Sequence, residues 1–112
     1  MKNIVVIIAL FFGFAATAQE QKNKNAKYSI EVNGNCDMCK KRIEKAAYSV
    51  DGVKSASWDV ASHQLTLLLN ETKSSLRDVE TAIAKAGHDT PNRKATDEVY
   101  SSLHGCCQYQ RD

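Results

Sequence analysis

Two cysteines three positions apart, Cys36 and Cys39, lie in the run Gly34-Asn35-Cys36-Asp37-Met38-Cys39-Lys40-Lys41-Arg42. The run falls where a short strand pattern hands over to a helix pattern. Thiols at this spacing, on a loop entering a first helical turn, can face one centre, and the unpaired N–H groups of that turn favour their thiolate forms. Such a pair serves as a clamp for a soft metal, as a dithiol for redox exchange, or as a structural disulfide. A disulfide closing so short a loop restrains little of the unfolded chain, so it is the weakest reading on energetic grounds.

The elements that must hold the pair emerge from the patterning. Tyr28, Ile30 and Val32 alternate with Ser29, Glu31 and Asn33, as in a half-buried strand, and Asn33-Gly34-Asn35 breaks it. Cys39, Ile43, Ala46, Ala47 and Val50 then recur at helical spacing, so Cys39 opens the buried stripe while Cys36 precedes it in the loop. Asp51-Gly52 suits the end of that helix. Ala56, Trp58 and Val60 alternate within Val53 to Val60, and Leu65, Leu67 and Leu69 do so after a polar turn, which predicts a hairpin. Ser75 with Asp78 forms a capping box for a second helix with stripe Leu76, Val79, Ile83, Ala86, ended by Gly87. His88 to Ala95 is polar and contains Pro91, so at most a short edge strand is expected there. Thr96 or Asp97 caps one more short helix carrying Val99 and Leu103, and the chain ends in a tail with His104, Cys106 and Cys107. The order predicts an α+β, ferredoxin-like βαββαβ sandwich with a short helical, cysteine-containing C-terminal tail. Trp58, Ile43, Ile30, Leu67 and Ile83 are its expected core.

The N-terminus reads as a secretory signal over 1–18. Met1-Lys2-Asn3 supplies a positive start, Ile4 to Ala16 is almost wholly apolar, and Ala16-Thr17-Ala18 offers a small-residue cleavage site. The apolar stretch is shorter than a membrane span requires, and no cysteine stands at the cleavage point to carry a lipid. The mature protein is therefore expected in the periplasm, with no membrane insertion, as a flexible leader over 19–27, one domain over 28–95 and a tail over 96–112. Its 14 basic and 13 acidic side chains leave a formal charge of +1, a near-balance that argues against a nucleic-acid partner.

The element order, Cys36-Asp37-Met38-Cys39 at the first strand–helix junction, Asp51-Gly52-Val53 and Ala86-Gly87-His88 together resemble the heavy-metal-associated domain family. The likeness covers Tyr28 to Lys94; the family includes copper chaperones, metal-binding modules of metal-pumping ATPases and periplasmic mercuric-ion-binding proteins, and an exported single domain is most similar to the last in layout. It implies a metal held by Cys36 and Cys39. The family's usual Gly-Met-Thr-Cys is replaced here by Gly34-Asn35-Cys36, without the Met. Soft thiolates select Cu(I), and two suffice for a near-linear Cu(I) or Hg(II) complex, whereas Zn(II) takes four ligands. The expectation is a carrier for Cu(I), with Hg(II) or Zn(II) as alternatives, that passes its ion by thiolate exchange to another metal-binding protein or a membrane metal transporter.

Accessory ligands are sought in His88, beside the site loop in this fold, and in His104, Cys106 and Cys107 of the tail. If the tail thiols join Cys36 and Cys39, Zn(II) becomes a credible cargo. His63 is expected at the surface, in a turn at the far end of the sheet. Lys40, Lys41, Arg42 and Lys45 form either a solvated helix face or a charge offset for bound thiolates. The alternative of a thiol–disulfide oxidoreductase has less behind it: the residue directly before Cys36 is Asn35 and not an aromatic, and Pro91 is the single proline. No acid, base or nucleophile constellation marks an enzyme.

Overall fold

The computed structural model describes residues 22–111. The export signal expected over 1–18 and the first residues of the leader lie outside them. Strand β1 spans Ala26–Glu31, helix α1 Asp37–Tyr48, strands β2 and β3 Val53–Trp58 and Gln64–Leu69, helix α2 Leu76–Lys85 and helix α3 Asp97–Ser101, and a 3₁₀ turn comes next at Gly105–Cys107. The sheet is antiparallel in the order β1-β3-β2. Strand β1 starts two residues before the alternation predicted, because Ala26 and Lys27 pair with Leu69 and Leu68. The end of the expected leader is thus part of the sheet, and the N–H of Asn23 is tied to the Glu71 carboxylate at 3.1 Å.

Local chemistry fixes the helix ends as the sequence suggested. The Ser75 hydroxyl accepts from the N–H of Asp78 and the Asp78 carboxylate accepts from the N–H of Ser75, the reciprocal capping box. The Thr96 hydroxyl caps α3 through the N–H of Val99. Gly52 and Gly87 carry φ of 94° and 108°, a region costly for any other residue. Cys39, Ile43, Ala46 and Ala47 of α1 and Val79 and Ile83 of α2 bury their stripes on Ala56, Trp58, Leu65, Leu67 and Leu69 of the sheet. Ile30 is only half-buried.

The expected sixth element does not form a strand among the described residues. Its remnants are one hydrogen bond from the N–H of Asn33 to the Asp89 carbonyl, at 2.9 Å, and an isolated bridge between Thr90 and Arg93. Pro91 has no N–H to give a ladder, and the polar run around it has no apolar face to bury. The fold is therefore βαββα of the ferredoxin-like type, completed by the C-terminal segment. That segment is no loose tail: Leu103, Cys107 and Tyr109 belong to the core.

The sheet register also relocates one turn. Glu31, at the end of β1, pairs with Gln64, at the start of β3. The β2–β3 turn with His63 is consequently at the same end as the cysteine loop, not the far end, since an antiparallel neighbour must begin where β1 stops. There His63 is half-buried, stacked on Trp58 at 5.6 Å, and its carbonyl accepts from the N–H of Val32.

Candidate metal centre

The cysteine loop rests on the indole of Trp58. Trp58 is buried, its Nε1–H donates to the carbonyls of Val32 at 2.9 Å and His63 at 3.1 Å, and its ring lies under Gly34. A Cβ at Gly34 would stand 3.0 Å from Cβ of Cys39 and 3.1 Å from the indole edge. Glycine at this position is thus a matter of space, and the indole supports the loop from which the family's Met is missing. Gly34→Ala should destabilise the fold by about 1–3 kcal/mol through overpacking, read as a lower urea midpoint with unchanged m.

Cys36 is the N-cap residue of α1 with extended backbone, and Cys39 sits one turn into the helix, fully buried. Their sulfurs face each other at 3.6 Å. The N–H of Asn35 donates to Sγ of Cys39 at 3.3 Å. The N–H of Cys39, then the Cys39 thiol and the N–H of Met38, stabilise the Cys36 thiolate and bring its pKa down to about 7 despite partial desolvation. At pH above about 7 the Cys36 thiolate predominates. Alkylation of the reduced protein by iodoacetamide should therefore mark Cys36 first, with a rate that rises through pH 7 and levels off above it, as read by peptide mass spectrometry.

The C-terminal turn brings in two more sulfurs. Sγ of Cys107 is 3.8 Å from Sγ of Cys36, and Sγ of Cys106 is 3.9 Å from that of Cys107. Cys36, Cys106 and Cys107 offer ligand atoms within 4.8 Å of one another. Burial, then the neighbouring Cys39 and Cys36, push the Cys107 thiol up to about 12. All four cysteines are free thiols. With a metal–sulfur bond of about 2.3 Å, a linear S–M–S unit spans about 4.6 Å, a trigonal edge about 4.0 Å and a tetrahedral edge about 3.8 Å. The 3.6 to 3.9 Å spacings fit ions with three or four sulfurs better than a linear pair.

Two histidines singled out by the sequence stay out of this group. His88 is buried, its Nδ1 donates to the Asn33 carbonyl at 2.8 Å and its ring stacks on Tyr109. Burial, with the Arg42 charge adding to it, holds its pKa below the ordinary imidazole range. Its role here is to tie the loop after α2 to the cysteine loop. His104 is exposed, and its carbonyl accepts from the N–H of Cys107 at 2.8 Å. Among the cationic side chains, Lys40 is engaged by Glu44 and the Trp58 carbonyl, while Lys41 and Lys45 are exposed.

The residues that place Cys107 escaped the sequence reading. The Tyr109 hydroxyl donates to the Gly87 carbonyl at 2.8 Å and accepts from the N–H of Asp89 at 2.9 Å. Arg111 closes on the buried Asp89 carboxylate through Nε at 2.8 Å and Nη2 at 3.0 Å. The only sequence signal was an aromatic and an arginine just after the paired cysteines.

The heavy-metal-associated domain model matches residues 30–89. The chain belongs to the heavy-metal-associated domain family. Its solved neighbours include the CopZ metallochaperone, with 27% identity over 58% of this chain and 98% of that one and a TM-score of 0.56. A second is the N-terminal domain of a potential copper-translocating P-type ATPase from Bacillus subtilis in the Cu(I)-loaded state, with 28% identity over 59% of this chain and 84% of that one, TM-score 0.56. Oxidized MerP from Ralstonia metallidurans CH34 shares the fold, at 22% identity over 58% and 94% of the two chains and a TM-score of 0.51. No curated protein matches. The family match ends at residue 89, so the heavy-metal-associated domain accounts for Cys36 and Cys39 but not for the segment with Cys106 and Cys107.

Proposed function

We propose that this heavy-metal-associated protein is an exported carrier of Cu(I), with Cys36 and Cys39 as its primary ligands, and not an enzyme. The observation that carries the reading is the facing pair of sulfurs at the mouth of α1, one half-buried with a thiolate available near neutral pH and the other fully buried. The buried sulfur holds the ion longest, and an incoming thiolate attacks the bound ion from the side of the accessible Cys36. The incoming thiolate gives an intermediate with one extra sulfur bond, and the bond to Cys36 then breaks. The receiver is another metal-binding protein or a membrane metal transporter presenting its own thiolates. The likeness to CopZ and to a Cu(I)-loaded ATPase domain supports copper over mercury. The apolar stretch at the N-terminus supports export to the periplasm; no described helix is long and apolar enough to cross a membrane.

A Zn(II) reading has one observation in its favour, the closeness of Cys106 and Cys107 to Cys36, which itself stands 3.6 Å from Cys39. Elemental analysis of protein purified without oxygen and with its thiols reduced separates these. Copper retained by the wild type, and no turnover of a model disulfide substrate, is the expected result. Sustained disulfide turnover, or wild-type protein that takes up no soft metal, would overturn the carrier reading.

A further inference from the structure

We propose that the C-terminal turn builds a second soft-metal subsite, the sulfur triangle Cys36–Cys106–Cys107 capped by the Met38 thioether, so that the chain carries two Cu(I) ions bridged by Cys36. The proposal rests on the reading of Cys36 and Cys39 as a soft-metal pair and extends it to sulfurs beyond the family's domain.

Met38 is the observation that sets this subsite apart. It is 45% exposed at the start of α1, and its Sδ lies 3.5 Å from Sγ of the exposed Cys106. A thioether in solvent contributes nothing to the core, but as a ligand it is selective. It suits Cu(I) and other soft monovalent ions and is not a ligand that zinc sites use. Cys106 in turn stands 3.9 Å from Cys107, Cys107 3.8 Å from Cys36, and Cys36 3.6 Å from Cys39. The chain of contacts therefore runs from two exposed sulfurs, through the half-buried Cys36, to the buried Cys39, with each step near the edge length of a trigonal or tetrahedral thiolate site. One ion is assigned to the Cys36–Cys39 end, where the two sulfurs open from 3.6 Å toward the span of a linear unit as it binds, and the other to the Cys36–Cys106–Cys107 triangle, with Cys36 common to both.

The outer subsite is held in place before any ion arrives. Tyr109 and Arg111, two and four residues beyond Cys107, are anchored on Gly87 and Asp89, and Cys36 Sγ lies 3.5 Å from the Cys106 carbonyl. Loading is proton exchange without electron transfer. The four thiols become four thiolates as their protons pass to solvent, and two monovalent ions leave a net charge of −2 on the cluster. The outer subsite meets solvent first, which makes it the point of entry and of hand-over.

The test is an anaerobic titration of the fully reduced protein with Cu(I) against a chromogenic chelator, read together with native mass spectrometry. Wild type should take two ions. Cys106→Ser should stop at one, and Met38→Leu should bind the second ion about tenfold more weakly with the first unchanged. Both substitutions are at exposed positions, and circular dichroism of the apo proteins checks that they fold. A wild type that stops at one ion, a Cys106→Ser variant that still takes two, or a Met38→Leu variant with an unchanged second ion would overturn the proposal. So would retention of a single Zn(II) by wild type in preference to Cu(I). Failure of the underlying carrier reading looks different, because wild type then binds no Cu(I) at all.

Discussion

Cys36→Ser should weaken the tightest Cu(I) binding by about 10²–10³-fold while leaving the apo fold intact. Cys36 is the thiol that stands next to both its partner in the loop and a thiol of the tail: 3.6 Å to Cys39 and 3.8 Å to Cys107. Structural metal sites of four ligands reach about 10–16 kcal/mol, or about 2.5–4 kcal/mol for each ligand, which is the origin of that factor. A hydroxyl is a hard, neutral donor and replaces little of it. Serine is also a favoured N-cap residue, so α1 loses nothing at its start and gains a cap that Cys36 does not provide through its side chain. The measurement is competition with a Cu(I) chelator alongside a urea titration of the apo protein. Affinity within threefold of wild type would remove Cys36 from the ligand set. Cys39→Ser should lose a comparable amount of binding but should also cost stability, because Cys39 is fully buried among Ile43, Trp58 and the rest of the core.

Tyr109→Ala is expected to destabilise the fold by about 3–5 kcal/mol, the range for truncating a buried aromatic side chain. Tyr109 is 2% exposed, packs against the rings of His88 and Tyr100, and satisfies the Gly87 carbonyl and the Asp89 N–H with its hydroxyl. Its loss frees the turn that carries Cys106 and Cys107. A large fall in the urea midpoint should therefore be joined by alkylation of Cys107, which is protected in wild type by burial. Tyr109→Phe separates the two contributions. It keeps the ring and removes only the hydroxyl, at a cost of about 1–3 kcal/mol for the groups left unpaired, and should leave Cys107 protected. If Tyr109→Ala unfolded at the wild-type midpoint, the C-terminal segment would not be the integral part of the core that its burial indicates.

Both effects have one architectural origin. In this protein the position of a ferredoxin-like edge strand is given over to an irregular stretch around Pro91, and the segment after it returns to the site end of the molecule. Leu103 comes so close to Gly87 that a Cβ there would lie 2.8 Å from it. That contact fixes where the C-terminal segment crosses the end of α2. Asp89 then orients both ends of that segment: its carboxylate accepts from the N–H of Ala95 at 2.7 Å as well as from Arg111. Buried and bidentate, this pairing is of the kind that is costly to break from one side.

By itself the sequence determined the first five elements and the placing of Cys36 and Cys39 at the mouth of α1. Period-two runs at Tyr28–Val32 and Leu65–Leu69, the helical stripe opened by Cys39, the Ser75–Asp78 box and the glycines at 52 and 87 are local signals, and the backbone obeys them because each concerns neighbours a few residues apart. The same locality explains what only the tertiary structure decided. Cys36 and Cys107 are 71 positions apart, and no periodicity encodes whether a tail folds back on a loop at that distance. That depends on Tyr109 finding Gly87 and Asp89, and on Arg111 finding Asp89. The burial of His88, the turn of His63 beside the cysteine loop and the missing last strand belong to the same class. Each was set by strand register and by competition for one sheet end, which are properties of the assembled chain.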